Sequence, residues 1–333
     1  MSSSASVERG YIKGHRGVST PGTRAPSRKP APRPPNRTRE AAPAESPQDA
    51  PARFRQLDGY RANREWLRYE GTAQRELFRS LRQRFLERHA VPTGRTLDVG
   101  CGPGRFTPQV GGPGCLRVGI DLSDPMLREV GEHWEPGAPF PALVRGDGLT
   151  PPFRASTFSE VALLGNAVGF AGEAALELLS SCASLVAPGG SLVVELAPGT
   201  PSESRYLHRL PPGAVVRLLR APTALVRARV EREGFRWTEG PDRKRHGFRP
   251  LSEGEVRAEL EGGGFEVGEA IAVAPALGGN PDLLEAIGAD AGAFARLLEL
   301  EEALGRAVPL REKAAALLLV AVRRSTVAAQ GVM

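Results

Sequence analysis

The segment Leu97-Asp98-Val99-Gly100-Cys101-Gly102-Pro103-Gly104 constrains this chain more than any other. Apolar residues around an acid read as a buried strand, and three glycines at alternate positions follow directly. A loop of this kind lets the backbone turn sharply and approach a ligand closely, because glycine has no Cβ and adopts positive φ at little cost. The pattern predicts a strand, a glycine loop and then a helix, the arrangement that dinucleotide folds build around GxGxxG. Here the third glycine is at 104 and position 105 is Arg, so the spacing is GxGxG, with an acid two residues before the first glycine.

The flanking sequence sets the fold class. Short apolar runs bounded by Gly and Pro lie at 96–99, 116–121, 141–145, 158–164 and 191–196, with helical stretches at 124–133 and 172–186 between them. Strands alternating with helices predict a parallel sheet covered on both faces. Ahead of it, Trp66, Leu67, Phe78, Leu81, Phe85 and Leu86 follow helical spacing, interrupted at Gly71-Thr72, where Thr72 can cap the second piece. Farther on, a helix at 252–262, a strand near 265–273, helical material at 281–305 and a strand at 314–323 are expected.

Composition narrows the function classes. At 41% hydrophobic, the chain has ample material for a core. The longest apolar run, nine residues from Ala314 to Val322, is well short of the ~18 that a membrane span needs. Three cysteines without a CxxC pair exclude a disulfide scaffold and a cysteine zinc ribbon, predict no metal site, and suit a reducing, cytoplasmic setting. The net charge of +6 is unevenly spread. Residues 1–50 carry nine basic and four acidic side chains, residues 197–250 carry twelve and five, and the remainder is net acidic. The expected organisation is a disordered Pro/Arg/Ser-rich tail (1–52), N-terminal helices over a ligand site (53–95), a binding core (96–196), a basic cap insert (197–250), a C-terminal part of the same fold (251–324) and a flexible end (325–333).

Three further motifs follow the glycine loop. Val118-Gly119-Ile120-Asp121 ends the second strand in a carboxylate, which can accept from two ribose hydroxyls at once. Arg145-Gly146-Asp147-Gly148, with Pro152-Phe153 beyond it, follows the third strand, where a carboxylate can accept from an adenine amino group. Pro188-Gly189-Gly190 marks a tight turn before the strand from Ser191 to Leu196.

Taken together, these residues resemble the class I, Rossmann-like S-adenosylmethionine-dependent methyltransferases, clearly over about 60–196 and loosely over 250–324. The resemblance implies a doubly wound α/β fold: a mostly parallel seven-stranded sheet with helices on both faces, the last strand antiparallel, and a cap inserted after the fifth strand. It implies S-adenosylmethionine as cofactor. Asp98 would meet the methionine amino group, and Gly100, Cys101, Gly102 and Gly104 would line the cofactor, with Cys101 a small filler and not a nucleophile. Asp121 would hold the ribose, with Leu122 and Met126 beside the adenosine, and Asp147 and Gly148 would face the adenine. Asn166 would lie near the methyl-transfer centre, and Tyr69 and Thr72 would close the site from the N-terminal helices.

The acceptor is less determined. Candidate bases in or beside the insert are His246, His208, Glu195 and Tyr206, with His246 favoured because Arg243-Lys244-Arg245-His246 forms a basic, glycine-flanked segment. Arginine forks in the insert suit a carboxylate or phosphate, so a small anionic acceptor is expected. Arginine interleaved with Tyr206, Phe235, Trp237 and Phe248 also suits RNA, and an RNA or protein acceptor is the second reading. A binding module that retains the cofactor fold without catalysis is the third.

Overall fold

The computed structural model describes residues 71–198, 202–237, 248–277, 280–312 and 314–325. Helix α1 (Ala73–His89) starts at Thr72, whose extended backbone and hydroxyl cap it by accepting from the Arg75 amide at 3.2 Å. Its Leu77, Leu81, Phe85 and Leu86 are buried, and so is Arg82 among them.

Strands β1 (Thr93–Val99), β2 (Gly114–Asp121), β3 (Ala142–Arg145), β4 (Phe158–Leu163) and β5 (Val186–Leu196) pair in parallel in the order 3-2-1-4-5. Helix α2 (Asp124–His133) joins β2 to β3, and α3 (Ala167–Phe170) and α4 (Ala175–Leu185) join β4 to β5. The insert contributes β6 (Ser202–Ser204), α5 (Arg205–His208), α6 (Pro212–Leu218), α7 (Thr223–Glu233) and β7 (Phe235–Trp237), with β6 and β7 paired as a separate antiparallel ribbon. Helix α8 (Glu253–Gly262), β8 (Phe265–Ala272), α9 (Pro281–Gly288), α10 (Ala291–Gly305), α11 (Val308–Arg311) and β9 (Leu317–Arg323) complete the fold. The seven-stranded order is 3-2-1-4-5-9-8, and β9 runs antiparallel to both neighbours, as expected for the last strand.

Both faces of the sheet are covered, because successive strand residues point to opposite sides. Val193 packs with α1, the insert helices and α10 in one apolar cluster. Leu192 and Val194, its neighbours, pack with α4 and α8 in the other.

Two local expectations are corrected. No helix follows the glycine loop; the connection from β1 to β2 holds only a three-residue 3₁₀ turn, Thr107–Gln109. Pro103, Pro108 and Pro113, with Gly111, Gly112 and Gly114, deny residues 105–113 the donors and stiffness that a helix needs. Side chains order the loop instead. Glu160 on β4 accepts from the Val91 and Gly111 amides at 3.0 and 3.1 Å, and Arg117 donates to the Gly111 and Gly112 carbonyls. Gly111 has φ +73°, and a Cβ there would lie 2.5 Å from Thr96 Cγ2, so the loop lies flat on the sheet only as glycine.

The second correction concerns β5, which begins at Val186 rather than Ser191. Val186 pairs with Phe158, the ladder resumes at Ser191 opposite Glu160, and the Pro-Gly-Gly turn forms the irregularity between them. The helical stretch 281–305 is two helices, because Asp290 caps α10 by accepting from Ala293 at 2.9 Å.

Candidate active site

The glycine loop leaves β1 with φ of +68°, +54° and +80° at Gly100, Gly102 and Gly104, a left-handed run that side chains resist. Gly104 also abuts Val130 of α2, where a Cβ would approach to 2.9 Å. The loop is tied to the end of β2, since the amides of Gly100 and Cys101 donate to the Ile120 carbonyl at 2.8 and 3.1 Å.

Asp121 closes that tie from the side chain. Its Oδ2 accepts from the Gly102 amide and its Oδ1 from the Ser123 amide, each at 2.8 Å. It is not the cap of α2; Ser123 is, with its hydroxyl accepting from the Met126 amide at 3.4 Å. Burial raises the Asp121 pKa above the usual carboxylate range, and the backbone donors oppose that shift. Asp98, 2% exposed, accepts from the Thr107 hydroxyl at 2.7 Å. Burial raises its pKa to about 7, with the Thr107 hydrogen bond opposing the shift and the nearby Asp121 charge adding to it. No Lys or Arg pairs with either acid among the described residues.

The remaining residues surround this pair. Cys101 fills the space above Gly119, where a Cβ would lie 2.9 Å from its sulfur, and burial raises its thiol pKa well above the ordinary value. That agrees with a filler and excludes a ready thiolate. Met126 is buried in the first turn of α2. Leu122, between Asp121 and Ser123, is half-buried. Asp147 accepts from the Leu149 amide at 2.9 Å, turning the chain after β3. Gly148 lies over Val99 and Leu178, where a Cβ would approach to 2.9 and 2.8 Å. Asn166 follows β4 in a left-handed conformation, φ +67°, directly after Gly165 at φ +59°. Asparagine tolerates that backbone well, which by itself accounts for the residue type.

Thr72 lines a cleft of about 560 Å³ together with Gly104, Arg79 and Trp134. It occupies the gap between α1 and α2 over the short 3₁₀ turn. Tyr69 and His246 lie outside the described residues, as do the tail 1–52 and Arg243-Lys244-Arg245. The chain two residues past His246 is placed: Phe248 packs on Gly169, meets Phe170 edge-on at 5.7 Å, and is followed by Arg249 donating to the Gly169 carbonyl.

Other candidate bases are already engaged. Glu195 is buried, chelated by Arg82 and accepting from the Gly165 amide. His208 lies against Glu203, Arg236 and Asn280. Of the insert arginines described, Arg209, Arg220, Arg227, Arg229, Arg236 and Arg249 ion-pair with acids of the protein itself. Sequence reasoning missed Thr107, Arg82 and the buried Glu301, which accepts from the Ala276 and Leu277 amides. Glu195 carried a readable signal, as a charge inside an otherwise apolar strand, and Arg82 shares a helical face with Phe78, Phe85 and Leu86. No cluster of potential metal ligands occurs among the described residues, and no helix there is long and apolar enough to cross a membrane.

A sheet ordered 3-2-1-4-5-9-8, with a glycine loop after β1 and acids at the ends of β1 and β2, defines a Rossmann-like methyltransferase fold. Residues 96–190 match the family model described as a methyltransferase domain. The curated proteins include no match. Similar solved structures include magnesium protoporphyrin IX methyltransferase of Synechocystis PCC 6803 with bound SAH, at 16% identity over 81% of this chain and 99% of that one, TM-score 0.47. Another is an S-adenosylmethionine-dependent methyltransferase from Mesorhizobium loti, at 18% identity over 77% and 100%, TM-score 0.44.

Proposed function

We propose that the chain moves the methyl group of S-adenosylmethionine, by in-line displacement, to an O, N or C nucleophile of an anionic small molecule. The observation that carries the cofactor half is the pair of carboxylates, buried Asp98 and half-buried Asp121, with no cation beside them among the described residues. Desolvated acids of this kind favour a ligand that brings its own positive charge and donors. The cofactor fits: its ammonium suits Asp98 and its two ribose hydroxyls suit Asp121.

When bound, S-adenosylmethionine supplies a methyl already activated by a positive sulfur. The protein's part is then to hold both partners and exclude water. Asp121 holds the ribose and the Gly102 amide together. Asp98 and the loop glycines seat the methionine end. Asn166 stands at the exit of β4, on the side where the acceptor would enter, and His246 would take a proton from an acceptor that carries one.

The anionic acceptor rests on Arg205, Arg217 and Arg232, which make no ion pair among the described residues, and on the basic charge that Arg243 and Arg245 add in the sequence. An RNA or protein acceptor draws on the same charge and on the basic tail. The decisive experiment combines the protein with methyl-labelled cofactor and fractionated cell extract. Label in small anionic molecules supports the proposal. Label in RNA or protein replaces the acceptor, and cofactor binding without any transfer favours a binding module.

A further inference from the structure

Arg82 is 2% exposed, and its guanidinium chelates Glu195, Nε to Oε2 at 2.8 Å and Nη2 to Oε1 at 2.5 Å. Oε2 of Glu195 also accepts the Gly165 amide at 3.0 Å. That amide belongs to the two-residue left-handed turn Gly165–Asn166. On its other side the Arg82 guanidinium lies 4.4 Å from the centroid of Phe106, two residues past the last loop glycine. One buried ion pair therefore touches α1, the glycine loop, β5 and the turn after β4. Burying a charged pair gives a fold little or no net stability over an apolar pair of similar volume, whereas it does impose geometry.

We propose that Arg82 and Glu195 are positioning residues that tie the seating of the cofactor on the glycine loop to the geometry of the Gly165–Asn166 turn, where the acceptor is met. The proposal rests on the methyltransferase reading. A ligand that orders Gly100–Gly104 orders Phe106 with them. The guanidinium lies over the Phe106 ring and holds both oxygens of Glu195, and Glu195 holds the Gly165 amide. Gly165 and Asn166 tolerate left-handed backbone but are not confined to it, so an external restraint on the Gly165 amide helps fix the turn.

The test is amide hydrogen exchange over residues 163–170, with and without S-adenosylhomocysteine, in the full chain and in Arg82→Met/Glu195→Leu. The double variant removes both charges and leaves neither alone in the core. Its affinity for S-adenosylhomocysteine should stay within about threefold of the parent, because Asp98 and Asp121 are untouched. In the parent, the ligand should slow exchange over 163–170 by about tenfold or more, and in the double variant by less than about twofold. Equal slowing in both proteins overturns the proposal. Arg82→Lys keeps a charge on Glu195 but loses the fork and the flat stacking face, so it should fall between them, and it serves if the double variant does not fold. Failure of the parent to bind S-adenosylhomocysteine would overturn the cofactor reading alone. The tie would then be read without ligand: faster exchange at 163–170 in the variants supports it, and unchanged exchange overturns it.

Discussion

The end of the sheet formed by β1 and β2 and the insert after β5 treat charge in opposite ways. At the glycine loop two carboxylates, buried Asp98 and half-buried Asp121, have no cation beside them among the described residues and are held by amides and a hydroxyl. In the insert six arginines are spent on acids of the protein, most of them half-exposed at the surface. Charge left unneutralised in a desolvated place awaits a ligand, whereas charge already paired at the surface mainly holds neighbouring elements together. The net excess of the insert therefore overstates what it can offer an anion, and the net acidity of the body understates how specific its binding end is.

The largest effect tests the first half of that contrast. Asp121→Ala should weaken S-adenosylmethionine binding by ~1.5–3 kcal/mol, the scale of a lost charged hydrogen bond, as measured by calorimetry. Unchanged affinity would mean that the acid serves only to tie Gly102 and Ser123.

Proton linkage sharpens the same point. Asp98 and Glu301 are each raised to about 7 by burial, so the folded state keeps protons that the unfolded state releases near pH 4. Their contribution to stability is complete below that lower value and is lost as pH rises through about 7. Urea midpoints should therefore fall from about pH 5.5 to about pH 8, and Asp98→Asn should flatten part of that slope. Binding of the cationic cofactor should show the opposite trend. It should tighten by up to about tenfold per pH unit below 7 and level off above, because the ligand favours ionised Asp98.

Gly169→Leu probes the join between insert and core. A Cβ at 169 would lie 2.3 Å from Phe248 Cε2, so overpacking should cost ~1–3 kcal/mol in denaturant unfolding. The smallest effect is expected at the surface. Arg227→Ala removes an exposed i,i+4 pair with Glu231 and should cost about 0.5 kcal/mol or less, fading further in salt. A larger loss would break the view of the insert arginines as ordinary surface pairs.

How much of this could be read from the sequence follows the range of the forces involved. Alternation and glycine spacing are local, so the strands and the acids at 98 and 121 were accessible, whereas the antiparallel last strand followed only from the family resemblance. The missing helix was also written locally, in three prolines and four glycines between 103 and 114, but the loop motif pointed to a helix and outweighed them. The pairing of Arg82 with Glu195 is a contact between distant segments. Sequence shows one charge inside an apolar run and one on the apolar face of a helix, and cannot say that they meet. The same holds for the insert, where a count of arginines says nothing about the acids that the fold brings beside them.

The bare 3₁₀ connection has a kinetic consequence. Most parallel strand pairs must close over a whole helix before their ladder can form, whereas β1 and β2 close over residues 100–113 alone. Shorter closure costs less chain entropy, and contacts near in sequence form sooner. In pulse-labelled refolding, β1 and β2 should therefore gain protection before β5 and β9, whose partners lie far apart along the chain. The cofactor loop would then be among the first parts of the molecule to take shape, and the sheet would grow outward from its own binding site.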